Sequence, residues 1–300
     1  MYRQTATASL NPELTANTFS ADEVVASKLT AEHEAEALAF LAARPIHTTM
    51  LAGFIRDNGL VSPRNRGTFY GCRNRQGELE GIALIGHATL METRSDRALQ
   101  AFAEIARECS TTHLIMAEEE RIDEFWGYYS EDQNGQEMRR VCREYLLELT
   151  WPVEVSGDVP GLRTATIENL NLVVPVQAQM AFEESGINPL EEDALGFRER
   201  CARRIEQTRS WLLVENGELK FKAEVIADTP EAVYLEGIWV SSADRGKGYG
   251  SRCLSQLCRT LLAKSKSIVL FVNGDNKKAQ RFYDQAGFRT RASYDTIFLM

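Results

Sequence analysis

Apolar and polar positions along the 300-residue chain recur with two periods, and the switches between them mark out an ordered series of short strands and helices. In the second half, Arg163–Ile167 predicts a short strand. Two helices follow, over Leu172–Glu184 and Glu191–Gln207, with apolar residues at helical spacing. Trp211–Glu215 and Leu219–Ala227 flank Asn216–Gly217, a pair that supplies the positive φ angles of a type I′ turn, so they predict a hairpin. Ala232–Val240 (AVYLEGIWV) is a further strand. A glycine-rich loop, a helix over Ser251–Lys264, the strand Ser267–Val272 and a helix over Lys277–Ala286 closed by Gly287 come next. Phe288–Met300 predicts one or two strands.

The first half gives a fainter version of the same order. A helical stretch over Ala31–Asp57 precedes the strand Thr68–Arg73, a turn at Gln76–Gly77 and an apolar run over Leu79–Leu90. A helix over Asp96–Cys109, the strand His113–Ala117 and a helix near Ile122–Tyr129 complete it. GELEGIALIGHA of the first half aligns with GELKFKAEVIAD of the second, and a two-copy repeat is the reading this supports. Trp151–Leu162, with two prolines and two glycines, reads as the linker. The expected division is a flexible lead-in over residues 1–22, a domain over 23–156 and a second over 157–300.

Composition narrows the class. With 44% hydrophobic and 26% charged residues the chain can bury a sizeable core. No apolar run is long enough to span a bilayer and the first twenty residues lack the apolar segment of a secretory signal, so a cytoplasmic protein without a membrane partner is expected. The six cysteines fall in no metal or disulfide spacing and read as free thiols. The four histidines all lie in the first half, outside any triad or ligand pattern, so no metal is expected. The net charge of −9 argues against a nucleic-acid partner. Residues 1–156 hold 15 basic and 24 acidic side chains, and residues 157–300 hold 19 of each, so the whole acidic excess belongs to the first half. It is either a solvated face or a wall toward a cationic substrate.

The sharpest local chemistry is Arg245-Gly246-Lys247-Gly248-Tyr249-Gly250, entered from a strand and leading into a helix. Glycines at alternate positions let a ligand approach the backbone, and the helix start offers unpaired N–H groups and the positive end of its dipole, which together suit a pyrophosphate. The spacing is not that of a P-loop, which needs Gly-Lys followed by Ser or Thr. Nor is it the Rossmann G-x-G-x-x-G. Downstream stands Asn276-x-x-Ala279-x-x-Phe282-Tyr283-x-x-x-Gly287-Phe288.

These two motifs, over about 140 residues, resemble the Gcn5-related N-acetyltransferase (GNAT) superfamily, whose phosphate loop Q/R-x-x-G-x-G/A is matched by Arg245, Gly248 and Gly250. The resemblance implies an α+β fold of tandem GNAT-like domains, each a mixed, mostly antiparallel sheet flanked by helices. In the first copy the corresponding loop, Glu92–Ala98, has no glycine, which marks that copy as degenerate. The backbone of Gly246, Gly248 and Gly250, with Lys247 and Tyr249, would cradle the pyrophosphate of acetyl-CoA, and Arg245 and Lys247 would add positive charge. Ile238, Trp239 and Val240 would pair with the pantetheine arm beyond a bulge at Gly237. Asn276 and Ala279 would meet the cofactor from the next helix, Asn276 doubling as a helix N-cap. Tyr283 would protonate the leaving thiolate, and Glu236, with Glu224 in reserve, would take the proton of the attacking amine.

The function implied is transfer of an acetyl group from acetyl-CoA to a primary amine by direct attack. The acceptor is expected to be a cationic small molecule or a protein amino group, and self-association is left open. The alternative is a non-catalytic acyl-CoA-binding regulatory module.

Overall fold

A computed structural model describes residues 24–131 and 136–300, so the expected lead-in over residues 1–22 lies outside the described residues. The first series of elements is β1 (Val25–Lys28), α1 (Glu34–Leu41), α2 (Pro45–Asn58), β2 (Gly67–Arg73), β3 (Leu79–Gly86), β4 (Ala88–Thr93), α3 (Asp96–Arg107), β5 (Leu114–Glu118), α4 (Glu119–Ser130) and β6 (Met138–Leu149). The second repeats it as β7 (Arg163–Thr164), α5 (Leu170–Ser185), the short α6 (Pro189–Glu192), α7 (Ala194–Glu206), β8 (Ser210–Glu215), β9 (Glu218–Asp228), β10 (Ala232–Val240), α8 (Tyr249–Leu262), β11 (Ser267–Asn273), α9 (Lys277–Gln285) and β12 (Arg289–Leu299).

Local chemistry accounts for the breaks that periodicity missed. The helical stretch over Ala31–Asp57 divides because Pro45 cannot continue α1 and instead starts α2. The helix expected over Glu191–Gln207 is broken at Asp193, whose carboxylate accepts from the Gly196 N–H at 2.9 Å and so caps α7. The apolar run Leu79–Leu90 is two strands. At Gly86 a Cβ would lie 2.3 Å from the Arg66 carbonyl oxygen, so only glycine allows the chain to pass there before it reverses. Asn216 and Gly217 have φ of 53° and 78°, as the hairpin requires.

All twelve strands form one sheet, in the order β1-β2-β3-β4-β5-β12-β6-β11-β10-β9-β8-β7. Among the described residues only β4–β5 and β10–β11 run parallel. The tandem, mostly antiparallel fold read from the motifs is therefore present, with a feature the sequence did not announce. The last strands are exchanged: β12 of the second series lies beside β5 of the first, and β6 of the first lies beside β11 of the second. The two exchanged strands pair antiparallel with each other at the centre.

Alternation along the strands puts the helices on opposite faces. Ile268, Leu270 and Val272 of β11 share a core with Leu254, Leu257 and Cys258 of α8, whereas Val269 joins the core under α1 and α2. One face thus carries α1, α2, α5 and α7, and the other carries α3, α4, α8 and α9. The linker does not hang free. The Ser255 hydroxyl donates to the Glu154 carbonyl at 2.6 Å and the Val159 N–H to Gln256 at 2.6 Å, holding residues 154–159 along α8. Among the described residues no helix is long and apolar enough to cross a membrane.

Candidate active site

The second half is open where the first is closed. Parallel pairing of β10 with β11 ends at Tyr234–Val269. On its other side β10 stays paired with β9, but Glu236 faces Glu224 and Trp239 faces Lys222, so β10 carries one extra residue at a bulge. Gly237 sits in it with φ of 61°. Its place is fixed from below: a Cβ there would lie 3.0 Å from the Lys222 Nζ, and that ammonium also lies 3.4 Å from the Gly237 carbonyl. The β10 edge facing β11 therefore has no partner strand from Leu235 to Val240. Ile238 and Val240 turn toward the α8 core and Trp239 toward the α5–α7 core.

A cleft of about 600 Å³ passes through this gap. On the α8–α9 face it is lined by Ile238, Asn276, Ala279 and Tyr283, and on the other by Tyr234, Glu236, Gln177 and Phe271. Five expected site residues (Glu236, Ile238, Asn276, Ala279 and Tyr283) meet here. Asn276 caps α9, its side chain accepting from the Ala279 N–H at 3.0 Å. Burial pushes the Tyr283 phenol well above its ordinary value, so it holds its proton.

At the end of β10 the glycine loop begins. Gly246 and Gly248 have φ of 79° and 82°, and a Cβ on either would meet no protein atom closer than 4.0 Å. Both positions therefore demand glycine for backbone conformation and leave open space above the α8 N-terminus, a cradle that suits a pyrophosphate. Gly250 serves differently: a Cβ there would stand 3.3 Å from both Phe282 and Val240, so it permits α8 to pack on β10 and α9. The Arg245 Nε donates to the Val240 carbonyl at 3.3 Å, Lys247 pairs with Asp244 at 2.9 Å, and the Tyr249 hydroxyl donates to Glu215 at 2.7 Å. These three side chains hold the loop in shape, and Lys247 spends part of its charge on Asp244.

Glu224 does not reach the cleft. It is 1% exposed on β9, accepts from the Ser210 hydroxyl at 2.7 Å and pairs with the fully buried Lys222 at 3.1 Å. The Lys222 ammonium also donates to Gln177 at 2.6 Å. Burial lowers the Lys222 pKa despite this pairing.

The cleft has further acidic groups that sequence reasoning missed. Glu144 arrives on the exchanged strand β6 and accepts from the Thr296 hydroxyl at 2.6 Å. Glu184 is exposed at the cleft mouth, yet desolvation by the walls and the charges of Glu236 and Glu144 raise its carboxyl to about 8. Burial likewise raises Glu144, against its hydrogen bond from Thr296 and with the Glu236 charge. Glu183 and Asp275 also line the cleft, and Arg140 is the one lining residue with a positive charge, so five carboxylates face one guanidinium. Of the five only Glu144 belongs to residues 1–156; the acidic excess of the first half lies mostly elsewhere.

The corresponding place in the first half is filled. Ala88–Leu90 pair with Leu114–Met116 as Ala232–Tyr234 pair with Ser267–Val269, so Glu92 occupies the position of Glu236. Arg44, from the start of α2, bonds Glu92 at 3.2 Å and Glu118 at 2.8 Å, and His47 lies 3.2 Å from Glu118. Only Arg94 and Ser95 separate β4 from α3, where eight residues separate β10 from α8.

Residues 179–288 match the family model described as the acetyltransferase (GNAT) family. The match ends at Phe288, one residue before the exchanged strand β12. No curated protein matches the chain. A tandem GNAT protein from the clavulanic acid biosynthesis pathway is similar in structure, with a TM-score of 0.56 at 15% identity, covering 91% of this chain and 98% of that one. A Drosophila protein gives 0.65 at 10% identity, covering 93% and 99%. A GCN5-related N-acetyltransferase from Sphaerobacter thermophilus gives 0.54 at 14%, covering 91% and 94%. Residues 179–288 thus carry a GNAT acetyltransferase domain, and the chain as a whole has the fold of a tandem GNAT protein.

Proposed function

We propose that the second half is an N-acyltransferase that moves the acetyl group of acetyl-CoA to a cationic primary amine. The observation that carries this reading is the cleft through the sheet, with Tyr283 on one face and a mouth lined by carboxyl groups on the other, beside a β10 strand whose unpaired end runs on into the open glycine loop. Acetyl-CoA supplies the activated thioester. Gly246 and Gly248 leave room for its pyrophosphate, and the unpaired β10 edge over Leu235–Val240 offers backbone donors and acceptors to its pantetheine arm. An ammonium entering past Glu184 and Glu144 favours the ionised form of these raised carboxyls and is held by them, and Glu236 takes its proton so that the nitrogen can attack. Tyr283, on the opposite side of the gap and protonated at neutral pH, gives a proton to the departing thiolate. The first half, with its gap closed by Arg44 and no glycine loop, binds no acyl-CoA in this scheme and serves the site through β6.

Steady-state thiol release from acetyl-CoA with a panel of amines tests the reading. Turnover is expected with cationic amines, and Tyr283→Phe should reduce kcat by about 100-fold or more while leaving CoA affinity near wild type. CoA binding without release for any amine would instead favour a regulatory acyl-CoA-binding module.

A further inference from the structure

A second cleft, of about 220 Å³, lies on the face carrying α2 and α7, above Val225 and Ile226 of β9, at the seam between the two series of elements. Its walls are basic. Arg64 and Arg66 come from the turn before β2, Arg200, Arg203 and Arg204 from α7, and Arg209 from the turn before β8. Six guanidiniums meeting in one cleft is unexpected in a chain of net charge −9. Solvated surface arginines would be the ordinary explanation, so their pairing decides the matter.

Three of the six have carboxylates nearby. Arg209 bonds Asp57 at 2.7 Å, Arg200 pairs with Asp193 at 2.9 Å, and Arg204 lies 4.0 Å from Glu224. Arg64, Arg66 and Arg203 make no ion pair with any described residue, and Asp57 is the one acidic residue of the lining. The excess charge is felt by its neighbours. Desolvation and the Arg200 charge hold the Arg66 guanidinium below its ordinary value against the opposing charge of Asp193. Desolvation with Arg66, His113 and Arg200 pushes His87 down to about 4. Like charges gathered in a partly desolvated cleft repel, and an anion placed among them relieves that repulsion. Guanidinium groups suit phosphate and carboxylate because their planar forks donate two parallel hydrogen bonds. Met50, Phe54 and Ile226 add an apolar wall beside the charges.

We propose that this cleft binds a small polyanion bearing phosphate or carboxylate groups, gripped by Arg64 and Arg66 from one series and Arg203 from the other. The site shares no residue with the glycine cradle, which lies on the opposite face of the sheet.

Isothermal titration of the full chain with inorganic pyrophosphate, and separately with citrate, tests this with and without added CoA. With CoA saturating the glycine cradle, pyrophosphate is expected to bind one site, and that site is expected to keep its affinity when CoA is left out. Arg203→Gln, at a residue with no ion pair to lose, should weaken it at least about tenfold, and Arg66→Gln/Arg203→Gln further. Unchanged circular dichroism in Arg203→Gln would show that the loss is local. Binding of both probes marks a general anion site, and binding of pyrophosphate alone marks one for phosphate. No binding once CoA is present, or equal affinity in wild type and Arg203→Gln, would overturn the proposal.

Discussion

The buried Lys222–Glu224 pair offers the most direct test of how the gap between β10 and β11 is held open. Lys222 is fully buried, Glu224 is 1% exposed, and their charged atoms lie 3.1 Å apart. Substituting Lys222→Met keeps much of the side-chain length and removes the charge. Glu224 is then left with the Ser210 hydroxyl at 2.7 Å and with Arg204 at 4.0 Å. Stranding a buried carboxylate in this way costs about 3–5 kcal/mol, the range found when one partner of a buried ion pair is deleted. Lys222→Met/Glu224→Met removes the stranded charge, so it should cost well under the sum of the two single variants, with a coupling of about 2 kcal/mol or more. Urea unfolding midpoints for the four proteins complete the cycle.

The sign of the pH dependence follows from the lowered Lys222 pKa. Between that value and the ordinary lysine value of about 10.4 the unfolded chain binds more protons than the folded one, so the Lys222 contribution to stability rises with pH. The gap between wild type and Lys222→Met should therefore widen toward alkaline pH. The same substitution removes the ammonium beneath the Gly237 carbonyl, so KM for acetyl-CoA should rise even in the double variant, where stability has recovered. If Lys222→Met lies within about 1 kcal/mol of wild type and leaves KM unchanged, the ammonium neither pairs with Glu224 nor props the bulge, and this account of the gap is wrong.

Three other outcomes are expected. Gly248→Ala puts a Cβ into open space at a φ of 82°, at a backbone cost of about 1–2 kcal/mol without any internal clash, and CoA affinity measured by calorimetry should fall much further than stability does. Because Glu184 is raised to about 8, its negative charge develops as pH rises from 7 to 9, so a quaternary ammonium inhibitor should bind tighter across that interval and Glu184→Gln should flatten the trend. A chain beginning at Val159 lacks β6, which stands between β11 and β12, so it should fail to fold by circular dichroism, whereas residues 136–300 should recover structure and CoA binding.

The loop and the following helix were legible in the sequence because their chemistry is local. Gly246 and Gly248 answer to their own φ angles, and Asn276 caps the helix that starts at the next residue. Glu236, on the strand before the loop, and Tyr283, on the helix after β11, both line the cleft. What could not be read depends on partners far along the chain. Strand β6, MRRVCREYLLEL, has a solvent-facing first half and no clean alternation, and nothing in it signals that its neighbours will be β11 and β12. Glu144 and Arg140 were missed with it. Lys222 and Glu224 alternate with apolar residues along β9, and that pattern carries no sign that α5 and α7 cover their side and turn them into a buried pair. Glu224 was for this reason a poor reserve for Glu236.

The exchange of last strands also explains how a half without a cradle can matter to the site. In a pair of merely adjacent domains each half would build its own gap from its own strands, and loss of binding in one would leave it a passenger. Here the wall of the open gap beyond β11 is β6, so the first half contributes Glu144, Cys142 and Arg140 to the cleft of the second. Arg140 and Arg139 of the same strand donate to the carbonyls of Glu184 and Ser185, at 3.2 and 2.6 Å, and so fix the end of α5 that forms the cleft mouth. In return β12 delivers Tyr294 to the closed gap, where its hydroxyl lies 2.9 Å from the His47 Nδ1 beside Arg44 and Glu118. Each half thus needs the other's strand to complete its gap, and the ion pairs that close one are available because the partner strand holds them in register.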